Sequence, residues 1–189
     1  APGLRTQVQF VFVAASEGLK QQVKALGLED CIELHDSVSR EEMKSRFYPQ
    51  ADVLLLPSHK EGFPNTMLEA MAAGLPLITS PAGAIPEVLT AKVHAFINPA
   101  DDAEGLERDL RLLCENPEER QAMGQRCHQL QCRSLPPVQP PREGRECEWG
   151  GGGGARGGGG GGCGVLGANV AAHPQEERPG ALGQADRVE

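Results

Sequence analysis

Apolar residues fall along this chain in two rhythms. From Gln7 to Ala14 they first alternate and then merge (Val8, Phe10, Val11, Phe12, Val13), and from Val53 to Leu56 they run unbroken up to Pro57. Both runs predict strands, and the unbroken one predicts a strand buried on both faces, as in parallel sheets. Elsewhere the spacing shifts to three and four, the period of a helix. Leu19, Val23 and Leu26 predict a helix from Glu17 to Leu26 that Gly27 ends. Ser39-Arg40-Glu41-Glu42 reads as a capping box opening a helix that carries Met43, Phe47 and Tyr48 and stops at Pro49. Met67, Leu68, Met71 and Ala72 predict a helix from Pro64 to Ala73, with Pro64 in its first turn and Gly74 as a left-handed cap. Short strands are expected at Cys31 to Leu34, Pro76 to Thr79 and His94 to Asn98. Further helices are expected at Pro86 to Leu89, from a start at Pro99, Asp101 and Asp102 through Leu106, Leu110 and Leu113, and at Glu118 to Leu130. The alternation predicts an α/β fold, a Rossmann-like parallel sheet with helices on both faces.

The stretch from Val53 to Leu89 holds the candidate chemistry. Strand, polar loop, helix and strand form one βαβ unit, and such units bind ligands at the carboxyl end of the strand, beside the helix N-terminus. That terminus offers unpaired N–H groups and the positive end of the helix dipole, which suit a phosphate. Glu61 stands in the loop just before the helix and Glu69 lies within it. Helical side chains lean toward the N-terminus, so Glu69 leans toward whatever is bound there. A carboxylate repels a phosphate, but it accepts two hydrogen bonds from a neutral vicinal diol such as a ribose. Glu61 could accept hydroxyls from a group on the other side of the phosphates. His59 and Lys60 share the loop: His59 either reaches a phosphate or sugar hydroxyl or faces solvent, and Lys60 either steers a diphosphate or is merely solvated. Gly83, in the turn PAGA, allows close approach of backbone to ligand or serves ordinary turn geometry.

The series PS–EGFPN–LEAMAAGLP–PEV, with Glu61 and Glu69 as an E-x7-E pair, resembles the donor-binding half of the family 4 glycosyltransferases, also called glycosyl transferases group 1. The resemblance covers roughly residues 7 to 131. It implies a GT-B fold, two Rossmann-like domains facing a cleft, and transfer of a sugar from a nucleotide-sugar to an acceptor with retention at the anomeric carbon. Carried over, Glu61 contacts the sugar hydroxyls and is the catalytic-site carboxylate, positioning rather than attacking. Backbone N–H groups around Phe63, Asn65 and Thr66 approach sugar and diphosphate, Gly62 and Pro64 belong to the same donor-binding segment, and Glu69 holds the ribose. The family carries an Arg and a Lys, which neutralise the leaving diphosphate, on a first strand–helix unit ahead of the segment where this chain begins. Its acceptor-binding N-terminal domain also precedes that point. The resemblance therefore implies the C-terminal half of a GT-B fold, incomplete, whose central strand is missing.

Composition narrows the picture. Beyond Ser134 come Pro136, Pro137, Pro140 and Pro141 and then glycine runs from Gly150 to Gly154 and Gly157 to Gly162. Such a segment buries too little apolar surface to offset its chain entropy, so residues 133–189 are expected to be a disordered tail and 1–132 the nucleotide-sugar-binding domain. A net charge of −8 and the lack of a basic stripe with aromatics argue against a nucleic-acid partner. No apolar run approaches a membrane span, and the start APGLRTQVQF lacks a signal-peptide pattern. The six cysteines form no C-x-x-C pair and no His cluster joins them, which argues against zinc or disulfides and for a cytoplasmic location. No D-x-D metal motif occurs, so neither metal nor cofactor is expected, the substrate being the nucleotide-sugar itself.

Three readings follow. One is a glycosyltransferase, this chain supplying its donor half, the acceptor being a saccharide, lipid or protein. Another is a non-catalytic nucleotide-sugar-binding fragment or degenerate paralogue. The third, a GT-B epimerase, fits the EGFPN–LEAMAAG wording less well.

Overall fold

The computed structural model describes Thr6, residues 8–134 and the strand at 163–167. The strands are β1 (Val8–Phe12), β2 (Ile32–Leu34), β3 (Val53–Leu56), β4 (Leu77–Thr79), β5 (Ala95–Ile97) and β6 (Cys163–Gly167). They form one sheet in the order β2-β1-β6-β3-β4-β5, every pair parallel. The helices are α1 (Glu17–Ala25), α2, α3 (Asn65–Ala72), α4 (Ile85–Val88), α5 (Ala103–Glu115) and α6 (Pro117–Ser134). α2 is a continuous helical stretch that runs through Arg40–Glu42, widens to π geometry over Met43–Phe47 and finishes at Tyr48–Gln50.

One part of the segment 133–189, for which disorder is expected, lies in the sheet as β6. Cys163–Gly167 pairs along its length with β1, Val8 opposite Cys163 and Phe12 opposite Gly167, and with β3, Leu54 opposite Leu166. The central strand position is thus occupied from the other end of the chain. β1 and β3 each need a neighbour for their inner edges, because buried backbone N–H and C=O groups left unpaired are costly. Val165 and Leu166 give this part of the tail a short apolar core between glycines, while composition judges the tail as a whole. The remaining tail positions lie outside the described residues, as does Gln7.

Side-chain alternation along β3 splits the core between the two faces of the sheet. Leu54 and Leu56 pack with Met67, Leu68, Met71, Leu77, Ile85, Phe47 and Tyr48 on one face. Val53 and Leu55 pack with Ile78, Leu110, Leu113, Met123 and Val8 on the other. α6 reaches both faces, giving Cys127 to the first and Met123 to the second. The double burial expected of Val53–Leu56 is what the structure shows.

The caps follow the expected chemistry. Ser16 and Ser39 hydroxyls accept from the Leu19 and Glu42 N–H groups, and Asp102 accepts from Gly105 N–H at 2.9 Å. α3 ends in a Schellman motif: Gly74, with φ 74°, donates to Met71 O, and Leu75 donates to Ala70 O. The helix carrying Tyr48 does not stop at Pro49. Tyr48 N–H donates to Met43 O, five residues back, and this wider turn carries the chain past the proline to Gln50. Glu42 does not complete its side of the capping box; its carboxylate instead takes Arg46 Nη1 at 3.1 Å. No helix of the described residues is long and apolar enough to cross a membrane.

Candidate functional site

The site is built where β3 ends. Pro57 leaves the sheet, and the next residues rise to α3 at the carboxyl edge. Ser80, just past β4, holds the base of this β3–α3 loop by donating its hydroxyl to Ser58 O. Ser80 N–H also donates to Leu56 O at 3.3 Å, as does the Thr79 hydroxyl at 3.0 Å. Farther out, Ala84 N–H donates to Gly62 O at 2.9 Å. The turn after β4 therefore grips the loop at both its root and its tip.

Gly83 explains how that grip closes. Its φ is +57°, and a Cβ placed on it would stand 2.3 Å from Glu61 O and 2.5 Å from Gly62 O. The close approach expected of Gly83 is thus made to the loop's own backbone. Gly62, by contrast, has open space where a side chain would project.

α3 begins at Asn65, with Pro64 before it in extended geometry (ψ 119°) and no side chain capping its first turn. Met67 N–H turns back to Pro64 O at 3.1 Å. The Asn65 and Thr66 N–H groups find no carbonyl among the described residues, so they remain available at the positive end of the helix. Gly62, Phe63 and Asn65 are exposed around this end, while Pro64 is buried beneath it. At the far end of α3, His128 of α6 meets Ala72 O at 2.9 Å. There a Cβ on Gly124 would come within 2.1 Å of Gly74 O. α6 thus fixes the helix from its C-terminus.

The two glutamates differ in their surroundings. Among the described residues no hydrogen bond or ion pair engages the Glu61 carboxylate, which is half-buried beside the open helix end. The Glu69 side chain is only 10% exposed and is held twice. Arg40 Nε donates to its Oε1, and the Tyr48 hydroxyl donates to its Oε2 at 2.9 Å. Burial first, then the neighbouring Glu69 charge and the hydrogen bond to it, keep the Tyr48 phenol protonated well above its usual range. Sequence reasoning treated Tyr48 as part of an apolar face and gave Arg40 no role beyond the capping box. The signal available was the hydroxyl itself, which a buried tyrosine has to partner.

The other sequence candidates lie at the rim. His59 is exposed and faces Asp101 at 3.4 Å, a residue of the β5–α5 loop, and Lys60 is exposed beside it. Among the described residues no group of three or more His, Cys, Asp or Glu is placed to hold a metal ion. Among the described residues, Cys31, Cys114, Cys127 and Cys132 form no disulfide. Cys127 donates to His94 O at 2.8 Å, and burial pushes its thiol up to about 12, far from a reactive thiolate.

Comparison with known proteins identifies the family. The profile of the family described as glycosyl transferases group 1 matches residues 4–129. The amylovoran biosynthesis glycosyltransferase AmsK of Erwinia amylovora is 38% identical over 94 residues, which is 47% of this chain and 23% of that protein. The D-inositol 3-phosphate glycosyltransferase of Streptomyces griseus is 30% identical over 112 residues, 59% of this chain and 24% of that protein. The chain thus spans about a quarter of the length of these curated relatives. Among solved structures, the C-terminal domain of a glycosyl transferase group 1 family protein (LpcC) from Francisella tularensis superposes with a TM-score of 0.54 at 27% identity, covering 60% of this chain and 58% of that one. Anabaena HepE superposes with a TM-score of 0.57 at 19% identity, covering 66% of this chain and 36% of that one, a likeness of fold.

Proposed function

Starting from a chain that belongs to the glycosyl transferases group 1, we propose that its described domain is the nucleotide-sugar-binding half of an enzyme that passes a sugar to an acceptor with retention. The observation that carries this reading is the open N-terminus of α3, flanked by one unengaged carboxylate, Glu61, and one clamped carboxylate, Glu69. A diphosphate takes the Asn65 and Thr66 N–H groups, a ribose takes Glu69, and the transferred sugar lies toward Glu61, with Gly62, Phe63 and Pro64 shaping the approach. Anabaena HepE has been crystallised in complex with UDP and with UDP-glucose, which supports a donor of this class.

Catalysis in this proposal is leaving-group stabilisation. Charge grows on the diphosphate as the anomeric bond breaks, and N–H groups already aimed at it bind the transition state more tightly than the ground state. Side-chain cations share the work, Lys60 among them, and no metal or cofactor is part of the scheme. Glu61 orients the sugar and forms no covalent bond. In the whole protein the acceptor is held by residues outside this chain, and the reaction takes place in the cytoplasm.

A second reading, binding without transfer, is favoured by the state of Arg40: this cation beside the site is already spent on Glu69. Calorimetric titration with UDP-, GDP- and ADP-glucose tests the binding both readings require. Saturable binding to one of them is the expected result, and silence with all three refutes the proposal. A radiolabelled-donor assay on this chain, and on one extended upstream, then separates the readings. Transfer by the extended chain alone is expected, and equal transfer by both would show that this chain holds the complete machinery.

A further inference from the structure

We infer that Arg40 and Tyr48 are positioning residues that set selectivity for ribose over 2′-deoxyribose through Glu69, an inference that rests on the ribose assignment above. A carboxylate offers about four acceptor positions. Here one on each oxygen is taken, Oε1 by Arg40 and Oε2 by Tyr48. One position per oxygen remains, which matches the two hydroxyls of a vicinal diol. The two donors fix the rotation of the carboxylate plane before any ligand arrives. A free glutamate would have to lose that rotation on binding.

Both donors come from α2, eight residues apart, and they reach the same side chain. Along an ideal α-helix, residues eight apart stand about 80° from one another around the axis. The π-helical turn over Met43–Phe47 lies between them, and it rotates the chain less per residue, bringing Tyr48 back toward the face of Arg40. The irregularity in α2 is thus the feature that lets one helix grip Glu69 twice. Tyr48 is 3% exposed, so its hydroxyl has no solvent alternative, whereas the Arg40 side chain is 49% exposed and keeps the charge of the pair partly hydrated.

Dissociation constants for UDP, GDP and ADP and for their 2′-deoxy counterparts test this on the full chain, its Tyr48→Phe variant and its Arg40→Gln variant. The wild type should prefer the ribose form of its best nucleotide by about tenfold, the worth of one hydrogen bond to a charged group. Tyr48→Phe and Arg40→Gln should each reduce that preference to about threefold or less, with affinity for the deoxy form held within about twofold. General loosening of the fold would weaken both forms together and leave the ratio unchanged. A wild-type preference that survives in both variants overturns the clamp alone. Equal affinity of the wild type for ribose and deoxyribose forms, or binding of none of the six nucleotides, overturns the ribose assignment and the clamp with it.

Discussion

Replacing Gly83 by alanine isolates the contact between the two loops of the site. Two costs arise. The residue has φ +57°, a region that costs an L-residue roughly 1–2 kcal/mol. Its new methyl would also lie 2.3 Å from Glu61 O and 2.5 Å from Gly62 O, both backbone atoms that a side-chain rotation cannot move. Relief requires the 80–84 turn to part from the loop, which removes the Ala84–Gly62 hydrogen bond, a further ~1 kcal/mol. The sum is about 2–3 kcal/mol, which in a domain of ordinary stability is a large fraction of the whole. Urea unfolding of the wild type and of Gly83→Ala measures it. Because the displaced backbone is that of Glu61 and Gly62, nucleotide-sugar affinity should fall by about tenfold or more in calorimetry. Gly62→Ala is the control: nothing lies within 4 Å of the added methyl, so its stability should stay within about 1 kcal/mol of wild type. Gly83→Ala unfolding at the same urea concentration as wild type, or Gly62→Ala proving the more harmful to stability, would refute the reasoning.

Three further outcomes are expected. Glu69→Ala leaves the buried Tyr48 hydroxyl without its partner, so it should cost about 1–3 kcal/mol of stability as well as donor affinity, while Glu69→Gln keeps an acceptor and costs less; paired melts and titrations check this. Leu166→Pro removes a backbone donor from the strand between β1 and β3, and circular dichroism with urea unfolding should show a loss of several kcal/mol or no folded state. His94 is shifted below its usual range, by burial first and then by Arg126, and its Nδ1 accepts from Thr90 N–H at 3.1 Å. The unfolded chain therefore binds a proton there before the folded one does. Its contribution is complete above about pH 6.5 and is lost as pH falls through the lower folded value. Melts of wild type and His94→Gln between pH 7.5 and 5 should show the variant losing less stability on acidification.

What the sequence made legible was the part of the fold that is local. Val53–Leu56 announces its double burial by having no polar break, and Gly74 marks the end of α3 because only a left-handed residue closes that helix. Ser39 was readable as a cap for the same reason: its partner lies three residues away. Contacts between distant segments left no such trace. Gly83 was readable as a tight position, yet the atoms it makes room for belong to a loop some twenty residues earlier. His128 meets Ala72 O across helices, a contact that no local spacing discloses. β6 was hidden most completely, since a glycine-rich context reads as disorder unless one knows that two strands elsewhere lack a neighbour. The family block marked Glu61 and Glu69 as a pair, but the clamp on Glu69 depends on a π turn, which no periodicity in α2 discloses.

That the strand at the middle of the sheet comes last among the described strands bears on how the molecule is born. During synthesis β2 and β1 can pair, and so can β3, β4 and β5, but these two half-sheets share no backbone ladder with each other. They wait, each with an open edge, until residues 163–167 leave the ribosome. At typical elongation rates of about 5–20 residues per second, the interval between β5 and β6 lasts several seconds. Joining them then demands the longest loop closure among the described strands, which makes it the slow step and the one most exposed to pairing with a neighbouring chain. A ribosome halted before Cys163 would hold a protein with its helices in place and its sheet in two pieces.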